Sequence, residues 1–325
     1  MQVKSGSNTR DARPAKSRRK RINQAIGSAL ISAVVAFSRL LPLRAKRRAG
    51  ILAGRFLFAA VRKRREQALR SIDLAFGDSL SPEEKQRIAR ESLENLGIGA
   101  MEFSHIPRIG ANIDRLITIE GMETLDRSQG GVFVSGHMAN WEWMAPILAT
   151  QNVPVAEVVQ SYEREPYAVQ LNTMRERGGI VTVPQDRAST EVRKLLAKKY
   201  CVGILIDRSP RDSGVPVTFF GRECWATSGP AFIALRSKVP LYFGEFFRKE
   251  DGMYHGRFSR IDPPAPSGSF RDDVRAYTQL MQNEMERHIR AHPGQWFWMT
   301  NRWRRREHLE ARWKDRAAGS VEAGD

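Results

Sequence analysis

The residues best suited to chemistry stand in one run, Val132-Phe133-Val134-Ser135-Gly136-His137-Met138-Ala139-Asn140-Trp141-Glu142. A short apolar segment reads as a buried strand. Gly136 breaks it, and helix-like sequence follows from Asn140 to Thr150. An imidazole and a carboxylate thus lie five positions apart at a strand-to-helix turn. On one continuous helix their side chains would be rotated by roughly 140° from each other. They meet only if His137 precedes the helix and Glu142 falls in its first turns. Such a turn supplies a base, an acid that orients it and free backbone N–H donors at a helix start. The competing reading is a histidine that merely caps a strand end.

No G-x-S-x-G elbow, P-loop or G-x-G-x-x-G is present, and the six histidines show no metal-ligand spacing. Neither a metal nor a cofactor is expected. Without an obvious nucleophile, His137 reads as a general base acting on a substrate hydroxyl, with Glu142 holding its tautomer and stabilising the imidazolium. Asn140 is the polar neighbour between them.

Further candidates follow along the chain. Arg175 and Arg177, before Gly178-Gly179, can reach an anionic substrate or a developing oxyanion. Equally, they can solvate a helix C-terminus. Asp207 and Arg208 follow an apolar strand, where α/β sheets place active-site loops; Asp207 reads as holding that loop rather than reacting. Phe219-Phe220-Gly221 suits an apolar slot or core packing, and Thr227 suits a helix N-cap. The tail from Trp296 to Trp313 mixes indoles with Arg302, Arg304, Arg305 and Arg306. That mixture fits a membrane interface or an anionic headgroup, and it also fits stacking on nucleic acid.

The elements that must position these residues change character along the 325 residues. Ser81-Pro82-Glu83-Glu84 opens a helix predicted to run to about His105. From residue 115 short strands alternate with helices. The strands expected are Leu116–Glu120, Gly131–Ser135, Val155–Val159, Ile180–Val183, Val202–Ile206, Val217–Phe219, Leu241–Phe247 and Tyr254–Arg260. This alternation predicts an α/β fold, a mainly parallel sheet flanked by helices.

Charge marks the N-terminal region. Residues 1–65 hold 18 Lys and Arg against Asp11, a net +17 equal to that of the whole chain. The remainder is neutral, which counts against a nucleic-acid-binding body. Within the basic region, Ala25–Phe37 is uncharged and continues to Leu43 through Arg39. It is short of the roughly 20 residues that cross a bilayer, so it predicts a marginal span or a helix lying in the headgroups, with a signal peptide or an ordinary helix packed on the core as the competing readings. The organisation expected is a disordered arm over 1–24, a membrane-associated helix over 25–48, one catalytic domain over 49–310 and a flexible tail over 311–325. Cys201 and Cys224 form no framework and suit a reducing compartment.

Taken in order, these motifs resemble the bacterial lipid A biosynthesis acyltransferases of the lysophospholipid acyltransferase superfamily. The resemblance rests on His137-x4-Glu142 with Asn140-Trp141, on Leu74-Ala75-Phe76 before Ser81-Pro82-Glu83-Glu84, and on Arg175-Glu176-Arg177 before Gly178. It continues through Asp207, Phe219-Phe220-Gly221, Thr227 with Gly229, and His292-Pro293 leading into Gln295-Trp296-Phe297-Trp298. It covers about residues 25 to 305.

The resemblance implies a glycerolipid acyltransferase-like domain with an N-terminal membrane helix, on the cytoplasmic face of the inner membrane. It implies transfer of a fatty acyl chain from an acyl carrier protein thioester to a hydroxyl of a lipid A precursor. His137 is then the base, Glu142 its partner and Arg175 the arginine of the second motif, with Arg177 the alternative. Other acceptors within this reading are phospholipids, glycolipids and ornithine lipids. The sequence departs from the family pattern at Arg208, where glutamine is usual, and at Thr300-Asn301, where His-Arg is usual.

Overall fold

The computed structural model describes residues 25, 29, 32–160 and 166–313. The expected arm over 1–24, part of the expected membrane helix and most of the expected tail lie outside these residues. Helix α1 covers 32–39. After a break at Leu40-Leu41-Pro42 the chain re-enters helix as α2 (Leu43–Ala60), with Pro42 at its N-cap. The expected membrane helix over 25–48 is therefore two helices in its described part. Proline fixes its own backbone and pushes the residue before it out of helical geometry. No helix among the described residues is long and apolar enough to cross a membrane.

Helix α3 (Arg62–Phe76) follows, then α4 (Pro82–Glu102), which starts with the predicted capping box. Ser81 Oγ accepts from the Glu84 backbone, and the Glu84 carboxylate accepts from the Ser81 N–H. Helices α2 and α4 cross at backbone distance. A Cβ on Gly54 would lie 2.3 Å from Glu94 Cα, and one on Gly50 would lie 2.5 Å from Ile98 Cα. Only glycine permits that approach, and it makes the two helices one rigid unit.

After the short α5 (Ile113–Leu116), the α/β body runs β1 (Ile117–Glu120), β2 (Gly131–Ser135), α6 (Met144–Thr150), β3 (Val155–Val159), α7 (Pro166–Arg177), β4 (Ile180–Pro184), α8 (Ala188–Ala197) and β5 (Cys201–Leu205). It continues with β6 (Val215–Phe219), β7 (Arg222–Ala226), α9 (Gly229–Ser237), β8 (Leu241–Arg248), β9 (Tyr254–Ile261) and α10 (Phe270–Ala291). Seven strands form one sheet in the order β1-β9-β8-β2-β5-β3-β4. All neighbours are parallel except β8 and β9. Strands β6 and β7 form a separate antiparallel hairpin.

Both faces of the sheet are covered, which is why β2 is apolar along its length rather than alternating. Val132 and Val134 pack into the core that contains α9 and α10, whereas Phe133 packs with α6 on the other side. Helix α10 buries Val274, Tyr277, Met281, Met285 and Ile289, a helical-period stripe that runs beneath the C-terminal ends of β2 and β5.

Candidate active site

Strands β2 and β5 are adjacent and parallel, with Ser135 level with Leu205. The residues that follow them, His137 and Asp207, are therefore brought side by side at the carboxyl end of the sheet. His137 Nδ1 lies 2.7 Å from Asp207 Oδ1, and the His137 backbone N–H donates to Asp207 Oδ2 at 2.9 Å. Trp296 Nε1 donates to the same Oδ2 at 2.8 Å. Gly136 makes the approach possible, because a Cβ there would sit 2.1 Å from Met285 Cε and 3.3 Å from Asp207 Cγ.

Asp207 is buried. Burial alone would raise its pKa, but the adjacent imidazole and the three hydrogen bonds outweigh it and hold the carboxyl well below its ordinary range. An anionic carboxylate on Nδ1 fixes the proton on that nitrogen and leaves the lone pair on Nε2. Nε2 makes no hydrogen bond among the described residues. The ring is flanked by Trp141, edge-on at 5.0 Å between centroids, and by Phe297 at 6.2 Å. The unbonded ring nitrogen is thus presented beside an aromatic wall.

The expected pairing of His137 with Glu142 is not formed. Residues Trp141–Trp143 make a 3-10 turn before α6, and Glu142 turns toward α7. There Arg175 grips it with two bonds, Nε to Oε2 at 2.9 Å and Nη2 to Oε1 at 2.8 Å. Glu157, from β3, lies 3.5 Å from Arg175 Nε, and Asn172 accepts from Nη1 at 3.0 Å. Arg175 is consequently committed to carboxylates and not open to an anionic substrate. Burial, and then the charge of Glu142, push the Glu157 carboxyl up to about 8.

The other candidates fall in several places. Asn140 is buried and donates to Glu102 Oε2 at 2.9 Å, so it faces the protein interior. Arg177 and Arg208 are exposed. Phe220 is a core residue at the tip of the β6–β7 hairpin, packed on Phe76, Trp298 and Trp303 rather than lining a slot. It and Gly221 take φ of 53° and 68°, the left-handed pair that a two-residue hairpin turn requires. Thr227 does not cap α9; Ser228 occupies that position, without a side-chain cap bond.

The segment from Gln295, named in the sequence only as part of a motif and an aromatic tail, and Asn95, which the sequence did not single out, complete the site. The segment after α10 lies against the catalytic turn, with Ala139 N–H donating to Gln295 O at 2.8 Å and Phe297 N–H donating to His137 O at 3.1 Å. From α4, Asn95 Nδ2 donates to Ala139 O at 2.9 Å. These bonds hold Ala139 at a φ of 47°, left-handed geometry that alanine takes only when its surroundings impose it. Arg302 is fully buried, and its guanidinium donates to Trp225 O and Gln282 Oε1.

Fold and site together define a class: an α/β protein whose sheet ends in a buried carboxylate, an imidazole with a free nitrogen and an aromatic flank. The model of the bacterial lipid A biosynthesis acyltransferases matches residues 13–305, and the chain belongs to that family. A phosphatidylinositol mannoside acyltransferase of Mycolicibacterium smegmatis is 25% identical over 201 residues, 60% of this chain and 64% of that protein. One of Mycobacterium tuberculosis (H37Rv) is 24% identical over 225 residues, 65% of this chain and 69% of that protein. The match thus spans just under two thirds of the first relative. The solved 1-acyl-sn-glycerophosphate acyltransferase PlsC of Thermotoga maritima matches 75% of this chain and 97% of its own, at 12% identity and a TM-score of 0.37.

Proposed function

We propose that this protein is an O-acyltransferase that moves a fatty acyl chain from an acyl carrier protein thioester to a hydroxyl of a membrane glycolipid. The observation that carries the reading is His137 Nε2, left as the accepting nitrogen of the ring by the Asp207 contact on Nδ1. Nε2 takes the proton of the acceptor hydroxyl as its oxygen attacks the thioester carbonyl. The tetrahedral intermediate then collapses, the C–S bond breaks, and the thiolate leaves with the proton returned by the imidazolium. Asp207 stabilises the imidazolium between these steps.

The family supports a lipid A precursor as acceptor. The names of the relatives support a second reading, a mannosylated phosphatidylinositol. An acidic carrier as donor is supported by the exposed Arg208, Arg211, Arg304 and Arg305 around the loop after β5. The C-terminal segment is tied to that loop by Arg306 Nε to Ser209 Oγ at 3.2 Å and by His308 to Arg211 O at 2.7 Å.

Attachment to the cytoplasmic face of the inner membrane is part of the proposal. On α2, Arg44, Arg48, Leu52 and Phe56 recur every fourth residue and are all exposed. Phe37 and Leu40 are exposed nearby, at 55% and 81%. A cationic and apolar stripe of this kind suits an anionic lipid surface. Replacing Leu52 and Phe56 together by serine is expected to weaken cosedimentation with anionic vesicles without unfolding the protein; unchanged binding would reject this face.

Mass spectrometry of lipids from a deletion strain and its complemented counterpart tests the reaction. The deletion is expected to yield one lipid class lacking a single acyl chain, restored by the wild-type gene. Identical lipid profiles would reject the function, and the mass of the missing chain identifies both acceptor and donor length.

A further inference from the structure

Helix α4 carries a polar stripe on its buried side: Ser92, Asn95, Gly99 and Glu102 succeed one another at three- and four-residue spacing, with the three side chains all buried. Each of these side chains is spent on the catalytic turn or the segment that covers it. Ser92 Oγ donates to Trp296 O. Asn95 reaches Ala139 O and also Gln295 O, the latter at 3.2 Å. Glu102, with no exposed surface, binds three side chains at once. Its Oε2 accepts from Asn140 Nδ2 at 2.9 Å and from Tyr254 OH at 2.6 Å, and its Oε1 accepts from Arg47 Nε at 2.5 Å.

A buried carboxylate needs a counter-charge and full hydrogen bonding to be tolerated. Arg47 supplies the first, from α2. Asn140 and Tyr254 supply the second, from the catalytic turn and from β9. The turn is then fastened at three successive points: His137 on Asp207, Asn140 on Glu102, and Glu142 on Arg175. Release of the middle point leaves the left-handed Ala139 held only by Asn95 and Gln295, and loosens the direction of the imidazole two residues earlier.

Resting on the acyltransferase reading, we propose that Glu102 is a positioning residue for the reaction: it sets the His137 ring through Asn140 and ties the catalytic turn to the rigid α2–α4 pair. It touches no substrate and carries no proton in the reaction.

The test is Glu102→Gln in the full-length protein, assayed for kcat and for KM of the acceptor. A displaced catalytic group is expected to lower kcat by about 10–100-fold, while KM stays within about threefold because substrate binding is not altered. Adding Asn140→Asp rebuilds the contact with donor and acceptor exchanged and is expected to recover most of the lost kcat. Wild-type kcat in Glu102→Gln, or a double variant no better than the single one, overturns the proposal. If Glu102→Gln does not fold, Asn140→Asp alone sets two carboxylates face to face; it is expected to lower kcat more at high pH than at low pH, and wild-type kcat overturns the proposal. Amide exchange across residues 137–143 gives a readout independent of the reaction. Faster exchange in Glu102→Gln is expected, and unchanged exchange overturns the placement even where a wild-type enzyme without transfer activity refutes the acyltransferase reading instead.

Discussion

Asp207→Asn is expected to lower acyl transfer by about 10²–10⁴-fold, the range that a positioned base supplies, and His137→Ala by as much. The atoms that face Asp207 dictate this loss. Three N–H groups point at its oxygens: the His137 backbone, His137 Nδ1 and Trp296 Nε1. An asparagine offers one accepting oxygen and an NH2 that must face a donor. Turning the NH2 toward His137 makes Nδ1 an acceptor, moves the ring proton to Nε2 and removes the base. Glu142→Gln leaves the Asp207 contact in place and is expected to cost much less activity. Measured kcat values for Asp207→Asn and Glu142→Gln check this ordering, and the reverse order would return Glu142 to the role that its spacing from His137 suggests.

That suggestion failed for a local reason. Five positions allow His137 and Glu142 to meet if α helix begins at once, but Trp141–Trp143 forms a tighter turn and sends Glu142 toward α7. The true partner stands 70 residues away. The apolar run ending at Leu205 is legible as a strand, and the carboxylate after it is legible as a loop residue. That β5 sits beside β2, ahead of β3 and β4 in the sheet, depends on strand order that no local pattern encodes.

The same distinction runs through the fold. Strands buried on both faces, such as β2 and β8, announce themselves as apolar runs. Strand β7 does not, because it opens on the exposed Arg222 and Glu223 and becomes buried only from Cys224. Helix α4 is legible from its cap and from Ile88, Leu93 and Ile98, yet its polar stripe passes for ordinary surface. A signal was available: Ser92, Asn95 and Glu102 share a face at helical spacing, and a polar stripe sharing a helix with an apolar one implies a buried polar partner. The second candidate basic site, Arg175, was legible as a residue of interest but not as one neutralised by Glu142 and Glu157, which come from two separate elements.

That neutralised cluster is expected to make stability depend on pH through a single carboxyl. Glu142, Arg175 and Glu157 bring two carboxylates to one guanidinium, with side-chain exposures of 16%, 13% and 19%. One carboxylate is paired by Arg175, and the other is left in excess. Glu157 is the one driven up, to about 8, by burial and by Glu142, against an ordinary value of 4.5. Between those values the folded protein holds a proton that the unfolded chain has released, so stability falls as pH rises from about 4.5 to about 8. Glu157→Gln keeps the shape and removes the titration, so its stability is expected to be flat where that of the wild type declines. Arg175→Met removes the shared cation and leaves both carboxylates without compensation. The loss is expected to reach about 3 kcal/mol, the lower end for breaking a buried pair because neither partner is wholly enclosed, and to be greater at pH above 8 than at pH near 6. Denaturant unfolding of the three proteins at both pH values measures this. A wild type whose stability does not decline over that interval, or a Glu157→Gln variant that declines as steeply, would show that the excess charge resides elsewhere.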